Sequence, residues 1–369
     1  MRIVFDLDDT ICRTENRDYV NSSEISAVVS KIRELRDTIP GVEIVVHTSR
    51  GMASCNGDVE AAEKKNRPTI EAWLREHGIK VDEIIFGKPL ADLYVDDKAM
   101  SAEDFGKAKL RVYSGFSGAK VVRIGRLMIK AAENAAQQAE WYRHAREHYR
   151  WLSLREPSHV EVVVPKVHSV TLGKLYMEFI HGFSAVTQVS PMVIMNLLDV
   201  LLNEPILEGE NNIDSYAEYI ESRAESIGLT TDIGDRIRNC ECLERRTFCH
   251  GDFSLMNIIC TNRGYAFIDP SPKSGMDTWI LDAAKLRASL TWLDRILAKY
   301  SHPKELLDNF DDYITKQELQ GLVAPGTLDA IKLAEESHLI RVWYYAKKLG
   351  KQRKERELSN YYHWAYGNK

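Results

Sequence analysis

The sequence predicts an α/β protein in two parts, a small layer built on a parallel sheet and a larger domain that runs from strands into helices. Its periodicity predicts this. Strand and helix alternate over the first hundred residues, the pattern changes near residue 106, and from about 190 onward it is mostly helical, interrupted by the segment 247–270. A chain of 369 residues is long for one compact domain, and 44% apolar with 28% charged residues supports packed cores rather than disorder.

The elements follow in order. Residues 2–7 (RIVFDL) read as a buried strand ending in carboxylates, and 23–38 as a helix capped by Ser22 or Ser23. A strand at 42–48, a helix through 67–78 closed by Gly78, and strands at 82–87 and 92–97 complete a βαβ order whose polar groups gather at strand ends, where open α/β sheets bind ligands. Residues 108–132 alternate like a twisted ribbon with a glycine-bearing turn. A helix at 133–149 and strands at 160–164 and 174–182 come next. The expected domains are therefore 1–105 and 106–369, the latter with a strand-rich lobe to about 182 and a helical lobe beyond it.

Net charge is -5 and the isoelectric point near 6.2, which argues against a nucleic-acid partner. The Lys/Arg-rich run at 346–357 reads as a solvated helical face. Cysteines 12, 55, 240, 242, 249 and 260 have no zinc-type spacing and fit reduced thiols. With neither a signal peptide nor a stretch approaching the roughly 20 apolar residues of a membrane span, a cytoplasmic protein without membrane insertion is expected.

Two constellations carry chemistry. In "FDLDDT", Asp6 and Asp8 follow a buried strand, and a chain that turns at once aims both carboxylates at one point, where they suit Mg²⁺. One carboxylate is placed to attack phosphorus while the other moves a proton. Thr48 ends the next strand, Lys88 in "FGKP" offsets phosphoryl charge, and Asp96 and Asp97 in "LYVDD" offer further metal ligands.

This set, in this order, resembles the haloacid dehalogenase-like (HAD) phosphatase superfamily over residues 1 to about 104, without a large cap. The segments "TSRGM" and "WLREHGIKVDEIIFGKPLADLYVDDKA" look like small phosphatases encoded with capsule and surface-polysaccharide genes. The resemblance implies that Asp6 forms an aspartyl-phosphate and Asp8 acts as general acid/base. It also implies Mg²⁺ on Asp6, the Asp8 carbonyl and the 96/97 pair.

In "HGDFSLMN" and "YAFIDPSP", Asp252, Asn257 and Asp269 cluster on one short stretch. Phosphoryl transfer from ATP to a hydroxyl needs a base, here Asp252, and oxygen ligands for Mg²⁺, here Asn257 and Asp269. The pattern resembles the aminoglycoside/choline kinase-like branch of the protein-kinase fold from about 107 to the C-terminus. That resemblance implies a phosphate-covering turn around Ser117, a phosphate-binding Lys130 paired with Glu140 or Glu147, and an adenine hinge near Met177 to Phe179 that includes Glu178. It casts Asp282 as a support for the catalytic loop and His250 as a brace.

The expectation is a bifunctional Mg²⁺-dependent phosphatase and ATP-dependent kinase. Its partners would be a phosphorylated metabolite and its alcohol acceptor, a sugar, sugar phosphate or related alcohol of surface-polysaccharide synthesis. One alternative keeps a single catalytic half, the other being a lid, scaffold or nucleotide-sensing module. Another is a non-enzymatic nucleotide-sensing or assembly protein.

Overall fold

The computed structural model describes residues 2–14, 18–39, 41–89, 91, 99–114, 120–155, 161–171, 173–271 and 276–367. It is a mixed α/β chain that divides into two compact units, Met1–Tyr113 with Val121–Leu127 and Ser114–Lys120 with Met128–Lys369.

The first unit is built on a three-stranded parallel sheet in which Glu43–Thr48 lies between Arg2–Phe5 and Glu83–Phe86. Ile44, Val45 and Val46 are fully buried at the sheet centre. The helix Ser26–Thr38 buries Val28, Val29, Ile32 and Leu35, an amphipathic spacing that fixes its inner face. It starts later than the sequence suggests, because residues 23–24 pair as a strand with Cys12–Arg13. Ser22 is buried rather than capping, and its carbonyl accepts the Trp73 indole N–H at 2.8 Å.

The second helix, Val59–Glu76, begins eight residues before the expected start at 67. Asp58 is the true cap, accepting the Ala61 N–H at 3.0 Å, and Pro68 sits inside the helix at the cost of one backbone bond. The expected strand at 92–97 lies outside the described residues apart from its flanks.

In the second unit Lys174–Glu178 lies between Leu127–Ala131 and Val167–Thr171, pairing antiparallel with the latter. A second sheet runs in the order Phe183–Ser184, Ile258–Cys260, Gly264–Phe267, Glu161–Val163, its last pair parallel. Gly264 has φ +155, and a Cβ there would meet the Glu161 carbonyl oxygen at 2.0 Å, so the close strand approach requires glycine.

The helix Ala135–Arg155 outlasts its expected end at 149, and Trp141, Tyr142 and Tyr149 bury its inner face. The helices Ile213–Ile227, Trp279–Ala288 and Thr327–Lys348 pack into one core with Trp292, Phe310 and Ile331. Trp343 is also buried there, whereas Trp364 is 76% exposed. The basic run 346–357 crosses the break between Thr327–Lys348 and Gln352–Ala365 and is largely solvated. No described helix is long and apolar enough to cross a membrane.

Candidate active site

The first constellation forms where the strand Arg2–Phe5 ends. The chain turns back at once, with the Ile11 and Cys12 N–H groups donating to the Leu7 carbonyl at 2.9 and 3.0 Å and Asp9 left-handed at φ +56. Lys88 Nζ reaches Asp6 Oδ2 at 2.7 Å. Thr48 is buried, its carbonyl accepting the Lys88 backbone N–H at 3.3 Å and its Oγ1 accepting the Arg50 backbone N–H at 2.9 Å.

Arg50, in "TSRGM", grips Asp8. Its Nη2 donates to Oδ1 at 2.6 Å and its Nε to Oδ2 at 3.1 Å, a two-pronged, charge-assisted pair. Arg50 is 4% exposed and stacks 4.2 Å from the Tyr19 ring centroid. A charged residue two positions past a strand end was the only signal for it. Because both Asp8 carboxylate oxygens face Arg50, this residue's carbonyl is what it would offer Mg²⁺, alongside the Asp6 carboxylate. Such hard oxygens suit that ion. Asp96 and Asp97 lie outside the described residues.

The second constellation grows from the hairpin Ile258–Cys260 and Gly264–Phe267. Ile258 opposes Phe267, and the Ile268 N–H donates to the Asn257 carbonyl at 2.9 Å, which sets Asn257 and Asp269 at the same hairpin end. Asn257 Nδ2 donates to the Asp252 carbonyl at 2.9 Å and to its Oδ2 at 2.8 Å. The amide nitrogen is thus committed to Asp252, and the amide oxygen is the atom Asn257 would present to a cation. Asp269 adopts a left-handed φ of +59, unusual for a non-glycine residue, and its N–H donates to the Tyr142 hydroxyl at 2.9 Å.

Lys130 pairs directly with Asp269. Its partner on the following helix is neither Glu140 nor Glu147 but Gln138, whose Oε1 accepts from Lys130 Nζ at 3.2 Å. Gln138 is buried, and its Nε2 donates to Asp269 Oδ1 at 3.2 Å and to the Pro270 carbonyl at 2.8 Å. Two residues further on, about 200° around the helix, Glu140 faces solvent, as Glu147 does. Glu178 is exposed and its N–H is spent on the Lys166 carbonyl at 2.8 Å. Ser117 lies outside the described residues.

Beneath Asp252, the buried Asp282 carboxylate accepts the His250 N–H at 2.5 Å and the Gly251 N–H at 2.9 Å. Burial pushes its carboxyl up to about 7 despite the nearby Lys285 ammonium. His250 accepts the Asp252 N–H on Nδ1 at 3.2 Å and sits with Nε2 3.0 Å from the Ile268 carbonyl. Burial and Lys285 push it down to about 3, so it is a neutral brace.

Lys285, one turn past Asp282, escaped sequence reasoning because a lysine in "LDAAKL" looks solvent-facing. It is 2% exposed, donates to the Gly251 carbonyl and stands 3.6 Å from Asp252 Oδ1, with burial pushing its ammonium down. Among the described residues no three His, Cys, Asp or Glu side chains converge on a metal position. Asn257 and Asp269 nonetheless fit Mg²⁺ beside a nucleotide, which completes its shell with water and phosphate oxygens.

No protein-family model matches the sequence, and no curated protein does. Solved structures do. A Vibrio cholerae protein is 32% identical over 28% of this chain and 86% of its own, with a TM-score of 0.27. The streptomycin–ATP ternary complex of APH(2″)-IIa is 19% identical over 68% of this chain and 91% of its own, TM-score 0.41. The choline kinase of Cryptosporidium parvum Iowa II is 13% identical over 69% and 88%, TM-score 0.39. At scores of this size the chemistry of both constellations rests on their own geometry.

Proposed function

We propose that the second unit is an ATP-dependent phosphotransferase to an alcohol, with a protein-kinase-like two-lobed plan. The observation that carries this reading is that one hairpin end holds both the Lys130–Asp269 pair and the Asn257–Asp252 pair, joined by the Ile268 N–H on the Asn257 carbonyl. Asp252 accepts the hydroxyl proton of the acceptor, with Asn257 fixing its orientation. Lys130 offsets phosphate charge, and Gln138 holds it in place. Asn257 and Asp269 would hold Mg²⁺, which when bound neutralises the nucleotide's phosphate oxygens. His250 and Asp282 tie down the backbone on which Asp252 rides.

We further propose that the first unit is a HAD-like phosphomonoesterase. Asp6 is the nucleophile toward phosphorus, Asp8 the proton carrier oriented by Arg50, and Lys88 and Thr48 the groups that offset and hold the phosphoryl oxygens. The pairing of a phosphate-removing with a phosphate-adding site makes sense on one metabolite with two positions, since acting on one position would only consume ATP. A sugar, sugar phosphate or related alcohol of surface-polysaccharide synthesis is the substrate class proposed.

The test measures phosphate release from a library of sugar and alcohol phosphates, and ADP formation with alcohol acceptors, in the full chain. Asp6→Asn is expected to abolish the first alone and Asp252→Asn the second alone. Loss of both activities in one variant, or of neither, would sink the two-site assignment.

A further inference from the structure

The helical part of the second unit gathers basic groups where two helices meet, and Arg341 among them faces the Asp252 charge. On Ile213–Ile227, Tyr216, Tyr219 and Arg223 share one face at i, i+3 and i+7. On Thr327–Lys348, Ser337, Arg341, Tyr344 and Tyr345 share another at i, i+4, i+7 and i+8. The faces meet, with the Tyr216 and Ser337 hydroxyls 2.7 Å apart and the Arg341 guanidinium 5.8 Å from the Tyr219 ring centroid. Arg223 lies 4.4 Å from the Tyr219 ring and 4.5 Å from the Tyr344 ring.

The charges in this cluster do not balance. Elsewhere in the unit, Arg287 is matched by Asp311 and Glu335, and Arg236 by Glu336. Among the described residues neither Arg223 nor Arg341 forms such a pair, and the Nε of each is buried without an acceptor. His338, on the same helix, is 8% exposed with neither ring nitrogen hydrogen-bonded. Burial, then Lys285 and Arg341, push it well below its usual range, so it stays neutral beside them. Asp252 faces both Lys285 and Arg341, and Asp282 faces Lys285 alone. Cations left unmatched in a low-dielectric setting are costly, and an anion among them offsets that cost. The Arg223 guanidinium lies against both the Tyr219 and Tyr344 rings, and guanidinium N–H groups suit phosphate or carboxylate.

We infer that the phosphoryl acceptor is an alcohol carrying an anionic group, a phosphate monoester or a carboxylate, which Arg341 and Arg223 hold while its hydroxyl lies at Asp252. The inference rests on the phosphotransferase reading of Asp252. In the transfer, a bond forms between the acceptor oxygen and the γ-phosphorus of ATP, and the bond from that phosphorus to the β–γ bridging oxygen breaks. The hydroxyl proton passes to Asp252 and ADP leaves.

The experiment follows ADP release from MgATP in the full chain carrying Asp6→Asn. Acceptors come in matched sets: glycerol, glycerol 3-phosphate and glycerate; glucose, glucose 6-phosphate and gluconate; and choline and kanamycin as cations. Anionic members are expected to exceed their neutral partners at least about 10-fold in kcat/KM, an energy of about 1.4 kcal/mol, and the phosphate and carboxylate arms separate the two anion types. Arg341→Gln is expected to raise the acceptor KM about 10-fold with the KM for ATP unchanged. Arg223→Gln gives the same readout should the Arg341 variant fail to fold. Equal or better use of neutral or cationic acceptors, or an unchanged acceptor KM in both variants, overturns the anionic-acceptor inference and leaves the phosphotransferase reading standing. No transfer to any acceptor overturns both.

Discussion

Acid should loosen the second unit through His250. The buried ring is neutral, with a folded pKa pushed down to about 3 against an unfolded value near 6.5. As pH falls below 6.5 the unfolded chain takes up a proton that the folded chain refuses, so stability is full above that point and declines toward pH 3. Since the folded value lies well below 5, the loss at pH 5 is set by the unfolded pKa alone and comes to about 2 kcal/mol. Charging the ring would also set an Nδ1 proton against the Asp252 N–H that Nδ1 now accepts at 3.2 Å. His250→Gln keeps a donor for the Ile268 carbonyl but removes the titration. The assay is urea unfolding of the full chain at pH 7.5 and pH 5, followed by tryptophan fluorescence, with Trp141 5.0 Å from the His250 ring serving as a local reporter. The parent chain should lose about 2 kcal/mol more than the variant between the two pH values, because all other titrating groups are shared. Parallel losses would refute the assignment of a neutral, buried imidazole.

Three further outcomes are expected. Lys130→Met should reduce ATP-dependent transfer by about 100-fold or more, as removing a preorganised charge from developing phosphate charge does, measured as ADP release at saturating acceptor. Arg50→Met should lower phosphate release by about 100-fold by freeing the Asp8 carboxylate from its fork, while ADP formation by the other unit is unchanged. Gly264→Ala should cost about 3 kcal/mol or more, because its Cβ would meet the Glu161 carbonyl oxygen at 2.0 Å, read as a fall in melting temperature or a loss of soluble protein.

The sequence made the catalytic loops readable because their chemistry is local. Asp252, Asn257 and Asp269 stand on one loop and hairpin, so spacing along the chain nearly equals placement in space. Asp6, Thr48 and Lys88 follow strand ends, and the parallel sheet brings strand ends together. Partners across helices were harder. Lys130 had acidic residues to choose from on the next helix, and only the phase of that helix, fixed by the burial of Trp141 and Tyr142, turns Gln138 inward and Glu140 out. Lys285 and Arg341 were invisible for a related reason: each is a long cationic side chain on a helix whose neighbours come from distant sequence. The helix expected at 67–78 starts earlier, at Val59, where the Asp58 carboxylate caps it.

The contact between Lys130 and Asp269 has a consequence for nucleotide binding. Each of these charges is the other's counter-ion, and Gln138 stitches the two together. Under the proposed reading, nucleotide entry is an exchange of partners: phosphate oxygens take over Lys130 as the cation takes over Asp269. Neither charge need pass through an unpaired state. Metal-free nucleotide would satisfy only one side of that swap, so affinity for ATP should depend on Mg²⁺ more steeply than phosphate charge alone dictates.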